Sequence, residues 1–233
     1  MQSVARQISG SRGVIEAYQT RRNIEGLLDE LEDVITRQGH PPVTILGHSW
    51  GAWLAILFAS AYPDHVRKLI LVASAPLEEA YSSKIMETRM NRLDDREAVE
   101  LNRLMHHINT AADSNKNHIF LQIAELIRQA DAFQHDGSTY AKASFDYRIY
   151  DSIWAKAEKM RSGGALLRHA SRVTCPVTAI HGDHDPHPYQ GVKLPLEKTI
   201  RKFRFILMEK CGHEPWCEIS AKESFYNVLE EEL

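Results

Sequence analysis

Apolar positions along the chain follow two rhythms. Ile24, Leu27, Leu28, Leu31, Val34 and Ile35 fall on one face at helical spacing, and Gly39 with Pro41-Pro42 stops the pattern. Four short apolar runs follow: Val43 to Leu46, Lys68 to Ala73, Pro176 to Ile180 and Phe203 to Met208. Runs of this length predict buried strands. Helical stretches lie among them: an apolar one from just after Ser49 to about Tyr62, closed by Pro63, one near Gly191 to Arg201, and a last one from about Glu214 to Glu231. Residues 1 to 15 offer at most one short strand, Val4 to Ile8. Strands alternating with helices predict an α/β fold, a mostly parallel sheet with helices on both faces.

From Pro76 to about Arg172 the texture changes. This stretch is helical in pattern, rich in Arg, Glu, Asn and His, and poor in strand-like runs. Leu101, Leu104, Met105 and Ile108 form one amphipathic face, and Ile119, Phe120, Ile123 and Ile127 another. A helical block between two strands reads as an insertion over their carboxyl ends. The expected division is therefore a core of residues 1–75 and 173–233 with a helical cap, 76–172. No internal repeat or low-complexity segment interrupts it.

Composition mainly excludes. At 233 residues, 43% hydrophobic and 25% charged, the chain has the makeup of an ordinary globular protein. A formal charge of −3 gives no case for nucleic acid or an anionic membrane as partner. The longest apolar stretch, Gly51 to Tyr62, is too short for a membrane span, and the first residues lack the apolar core of a secretory signal. Three cysteines, Cys175, Cys211 and Cys217, do not form a disulfide framework, which suits a reducing cytoplasm. Cys211 and Cys217 flank His213, but no paired Cys-x-x-Cys element accompanies them, and no metal or cofactor is expected.

The chemistry concentrates in three loops. Gly47-His48-Ser49-Trp50-Gly51 places a serine between two glycines, after a strand and before a helix. Such a turn exposes a hydroxyl at the strand's carboxyl end, where the helix amino terminus favours the negative charge of an attacked carbonyl. A serine hydroxyl needs a base to take its proton, and the base needs an acid to orient it. His181-Gly182-Asp183-His184-Asp185-Pro186 supplies the acid, either Asp183 or Asp185, directly after the third strand. Cys211-Gly212-His213-Glu214-Pro215-Trp216 supplies the histidine after the fourth. All three loops then lie on the sheet edge where open parallel sheets bind ligands. The contiguous His181, Asp183, His184, Asp185 and His187 have metal-ligand chemistry, but one loop rarely wraps all of them around one ion.

These motifs together resemble the α/β-hydrolase superfamily: a nucleophile elbow at Gly47–Gly51, a Gly-x-x-Asp acid loop at Gly182–Asp185 and a histidine loop at Gly212-His213. The resemblance runs from about Arg12 to the carboxyl end. It implies Ser49 as nucleophile, Asp185 as acid and His213 as base, with the Trp50 backbone amide as an oxyanion donor and His48 packed behind the elbow. Ser-Trp in the elbow is similar to proline iminopeptidases and related capped esterases and peptidases. The implied activity is a serine hydrolase acting on a small ester, an amide or a short peptide. The aromatic string Phe145, Tyr147, Tyr150 and Trp154 reads as cap core more than as substrate pocket. Glu78 and Glu79 read as a solvated helix start, or as carboxylates for a substrate ammonium.

One part of the family pattern is missing. Several strands and a Gly-rich oxyanion loop normally precede the elbow, whereas here one helix dominates the first 48 residues, with Ser11-Arg12-Gly13 as a remnant of a family loop. The fold is thus expected to be shortened at the amino terminus, leaving the first strand near an open sheet edge. Amino-terminal residues or a second copy of the chain can cover such an edge. A truncated, catalytically weak α/β-hydrolase-like scaffold that binds or assembles through it is the alternative to an enzyme.

Overall fold

A computed structural model describes residues 1–10, 12–138 and 146–233. Ser11 and Phe145, named above, lie outside the described residues.

Four strands form one sheet in the order β1 (Val43–His48), β2 (Val66–Val72), β3 (Val177–Gly182) and β4 (Phe203–Met208), and every pair is parallel. The period of two along β2 separates the faces. Leu69 and Leu71 pack with Ala52, Ala55, Ile56, Phe58 and Ala59 of α3 (Trp50–Ala61) and with Val192 and Leu196 of α9 (Gln190–Thr199). Ile70 and Val72 point the other way, toward Val4 and Ile8 of α1 (Gln2–Ile8) and Phe225 and Leu229 of α10 (Lys222–Glu232). Helix α2 (Ile24–Val34) adds Ile24 and Leu27 to a third apolar cluster with Trp53, Leu54 and Leu57. Helix α3 is buried from Ala52 through Phe58 to Ala59, as its uniformly apolar sequence requires. Each large side chain fully buried there stabilises the fold by roughly 1.5–3 kcal/mol.

Among the described residues, five α-helices intervene between β2 and β3: α4 (Ile85–Arg92), α5 (Asp95–Thr110), α6 (Asp113–Asp131), α7 (Tyr147–Ser162) and α8 (Ala165–Ala170). Asp94 and Glu97 form a reciprocal cap at the start of α5, which fixes where that helix begins. Leu101, Leu104 and Ile108 of α5 meet Ile119 and Ile123 of α6, the two amphipathic faces turned toward each other. Ile153 and Ala157 of α7 and Leu166 of α8 instead pack on α3, joining this block to the sheet layer.

Two elements differ from expectation. Val4–Ile8 is helical, not extended, because its two apolar side chains, four residues apart, share one helical face over Ile70 and Val72. The last helix begins at Lys222 rather than Glu214, since Pro215–Cys217 makes a short turn and Glu218 bonds backbone elsewhere. Strand β1 pairs only with β2 among the described residues, yet its side chains are half-buried, with Leu46 packed on one apolar cluster, which Val14 also joins, and Val43 and Ile45 on the other.

Candidate active site

Strand β1 ends at His48, and Ser49 turns the chain into α3 with φ 54° and ψ −118°. A non-glycine residue held there stores strain, which the surrounding packing must sustain. The Ser49 N–H donates to Val72 O at 3.0 Å, continuing the β1–β2 ladder into the turn. Of the two glycines, Gly47 is required by space: a Cβ there would sit 2.3 Å from the Gly51 carbonyl oxygen, whereas one on Gly51 would meet nothing within 4 Å. Trp50 opens α3, and among the described residues its backbone N–H donates to no acceptor.

The loops after β3 and β4 bring an acid and an imidazole together. His213 Nδ1 donates to Asp185 Oδ2 at 2.7 Å. Asp183 has a different task, accepting the Cys211 N–H at 3.1 Å. Burial would raise the Asp185 carboxyl, but His213, His187 and His181 outweigh it and hold the group well below the usual carboxylate range. Burial pushes His213 down, but Asp185 prevails and leaves it above the ordinary histidine value. His48 sits beside this pair: its Nε2–H donates to the His213 carbonyl at 3.0 Å, and its ring packs between His213 and Trp216. Burial and the neighbouring His213 keep His48 neutral.

Ser49 and His213 line one cavity of about 1190 Å3. No hydrogen bond joins the Ser49 hydroxyl to His213 among the described residues; contacts of this kind often tighten only when substrate is bound. The far wall comes from α4 to α7, including Ile85, Met86, Ile108, Phe120 and Ile123. Tyr147, Tyr150 and Trp154 also line it, so the aromatic string reaches the cavity and is not confined to the packing between helices. Their spacing of three and four residues places them on one face of α7. Tyr150 stacks on Trp154, which lies parallel to the buried Trp53 ring at 6.0 Å, so the wall is anchored in the core. Glu79 is already engaged, accepting from Arg161 Nε at 2.8 Å and Ser82 Oγ at 2.7 Å.

Two carboxylates missed in the sequence tie the helical block to the histidine loop. Asp131 takes a two-pronged hydrogen bond from Arg89, both contacts at 2.7 Å, while its backbone carbonyl accepts the His213 N–H at 3.0 Å. Glu218 is 1% exposed and accepts backbone N–H bonds from Phe133, Gln134 and Gly212. Gly212 fits this junction because a Cβ there would lie 2.1 Å from the Asp131 carbonyl oxygen. Nothing in the spacing of Asp131 or Glu218 signals these contacts, since the partners of both, the Arg89 guanidinium and the His213 N–H for Asp131 and three backbone N–H groups for Glu218, are distant in sequence.

Asp185, His187 and His213 offer donor atoms within 4.8 Å of one another, as do His135, Glu214 and Cys217. In the first group both imidazoles already donate Nδ1–H to the carboxylate, so a cation there would have to displace two protons. In the second, His135 Nε2 faces Arg128 Nη1 at 2.8 Å, a cation that opposes another. All three cysteines are buried, and burial pushes the Cys211 thiol up.

A parallel sheet with a serine elbow after one strand and an Asp–His pair after two others defines an α/β hydrolase. VinJ, a solved structure, superposes with a TM-score of 0.61 over 89% of this chain and 71% of its own, at 17% identity. Among curated relatives, AB hydrolase superfamily protein YclE of Bacillus subtilis (strain 168) is 25% identical over 204 residues, 84% of this chain and 70% of YclE. Proline iminopeptidase PfmaB of Pestalotiopsis fici is 23% identical over 196 residues, 81% of this chain and 67% of its own. Mouse epoxide hydrolase 4 is 30% identical over 56 residues, 24% of this chain and 16% of its own length. The model of the family "Serine aminopeptidase, S33" matches residues 7–220, and the chain belongs to that family. No helix among the described residues is long and apolar enough to cross a membrane.

Proposed function

We propose that the chain is a serine hydrolase of small esters, amides or short peptides, with Ser49, His213 and Asp185 as its triad. The observation that carries this reading is the 2.7 Å His213–Asp185 hydrogen bond on the cavity that the elbow serine also lines. Ser49 attacks the substrate carbonyl while His213 Nε2 takes its proton. His213 then protonates the leaving group, and water releases the acyl group in the reverse sequence. Asp185 holds the imidazole in the tautomer that leaves Nε2 free and stabilises the imidazolium. The Trp50 N–H, at the positive end of α3, is the assigned oxyanion donor. No metal or cofactor enters the scheme. Residues 76–172 act as a cap whose apolar and aromatic wall selects the substrate, and that wall suits an apolar acyl or side-chain group.

Family membership and the relative named a proline iminopeptidase favour a peptidase, while the apolar cavity is equally suited to an ester. A fluorophosphonate probe tests the central claim: labelling of the native chain and none of Ser49→Ala is expected. Equal labelling of both proteins would overturn it. Comparing proline-β-naphthylamide with a short-chain nitrophenyl ester separates the two activities.

A further inference from the structure

Asp185 serves two imidazoles, and the proposed triad uses only one. Its Oδ2 accepts from His213, whereas its Oδ1 accepts from His187 Nδ1 at 2.7 Å and from the His187 backbone N–H at 2.9 Å. The His187 carbonyl is in turn held by His181 Nε2–H at 2.9 Å, which locks this turn from behind. His187 is 7% exposed and lines the cavity together with Ser49 and His213. Its ring lies 4.7 Å from that of His213 with a tilt of 34°. Because the carboxylate fixes its proton on Nδ1, a neutral His187 keeps a lone pair on Nε2, the atom on the side of the ring away from Asp185. Burial, with His213 and Arg89 nearby, favours that neutral form. Among the described residues, nothing donates to this Nε2.

Resting on the acyl-enzyme reading above, we propose that His187 is a positioning residue for the hydrolytic water. That water has two O–H bonds. One points at His213 Nε2, which takes the proton as the water oxygen bonds to the acyl carbon. The other, inside a largely apolar cavity, needs an acceptor, and His187 Nε2 supplies it. When the tetrahedral intermediate collapses, the bond from the acyl carbon to Ser49 Oγ breaks, and His213 returns its proton to that oxygen. The acid product leaves, and His187 neither gains nor loses a proton. An alcohol has a single O–H, already committed to His213, so His187 selects for water over alcohols as acyl acceptor.

The test is stopped-flow turnover of p-nitrophenyl acetate with and without methanol, for the native chain, His187→Asn, His187→Leu and His187→Gln. Asn keeps a donor near Nδ1 but has no acceptor at the Nε2 position; Leu has neither; Gln reaches that position with its amide oxygen. The burst that reports acylation should persist in Asn and Leu, while the following steady rate falls by roughly ten- to a hundred-fold. The share of methyl ester should rise in both, and Gln should restore part of the water preference. A native burst with an unchanged steady rate and methanol share in Asn or Leu overturns the proposal alone. Acylation and deacylation falling together, with the methanol share unchanged, also overturns it and assigns His187 a structural role only. No burst and no Ser49 labelling in the native chain overturns the triad reading and this proposal with it.

Discussion

Two buried carboxylates stand at opposite ends of the sheet. Asp185 follows the carboxyl end of β3 and is surrounded by His181, His187 and His213. Glu232, in the last turn of α10, accepts from Thr178 Oγ1 and Lys68 Nζ, each at 2.6 Å, and from Arg204. Both are held below their ordinary values even though burial alone would raise them. A displaced carboxyl therefore does not by itself mark a reaction centre. The partners and the space beside them make the difference. Lys68, Arg204 and Thr178 occupy the Glu232 carboxylate, whereas Asp185 is ringed by imidazoles, two of which line a cavity with Ser49.

Exchanging each carboxylate for its amide should separate these roles, and the largest effect is expected at Asp185. Asp185→Asn should lower kcat/KM by roughly ten-thousand-fold, because the amide favours the wrong tautomer of His213. Glu232→Gln should leave kcat/KM of the folded protein unchanged and lower the unfolding free energy by about 1–3 kcal/mol as its charge-assisted bonds are lost. Nitrophenyl ester turnover and urea unfolding, measured on both variants, decide the matter. A matching loss of turnover in Glu232→Gln would erase the contrast.

How much of this was legible in the sequence follows the range of the interactions. The four strands announce themselves in apolar runs, since burial on both faces leaves little choice of residue. The proposed triad, Ser49, Asp185 and His213, could be suggested from sequence because each residue sits in a short loop directly after one of those strands. His187 could not, since its role depends on the turn after Asp185 folding a side chain two residues on back to the same carboxylate. The same limit hides Asp131 and Glu218. Their value lies in partners on remote segments, Arg89 for Asp131 and backbone N–H groups for Glu218, and no periodicity records that. Helix α1 was misread although Val4 and Ile8 carry helical spacing, because two apolar residues in a short segment satisfy more than one pattern.

A third buried carboxylate, Glu218, tests whether the proposed active end of the sheet also depends on a purely structural anion. Glu218→Ala strands three backbone N–H groups, two just after α6 and one beside His213. It should cost about 1–3 kcal/mol of stability, as for other unsatisfied buried donors. Unlike Glu232→Gln, it should also reduce kcat in protein that remains folded, since the Gly212 N–H it releases adjoins the proposed base, His213. Unfolding curves paired with turnover at saturating substrate would show this, and an unaltered kcat would place Glu218 with Glu232.

The smallest effects are shifts along the pH axis, where His213 and Glu232 respond in opposite senses. His213 must be neutral to take a proton, and Asp185 holds it above the ordinary value of 6.5, so the acid limb of kcat/KM should have its midpoint above 6.5. In Asp185→Asn, burial then dominates and the residual limb should move below 6.5. For stability, a raised histidine contributes fully below its unfolded value and loses that contribution as pH rises through the folded one. The buried His48, His181 and His187 are lowered and work the other way, withdrawing stability as pH falls below 6.5. Glu232 is a lowered carboxyl, so its contribution is present above the unfolded value of 4.5 and is lost as pH falls through the folded value. The stability gap between the native chain and Glu232→Gln should thus stay level above pH 4.5 and close as acid is added below it. Urea unfolding across this range isolates the Glu232 site, because the histidine contributions are common to both proteins and cancel in the difference. A gap that persists undiminished in strong acid would mean that Glu232 stabilises the fold by its shape and packing rather than by its charge.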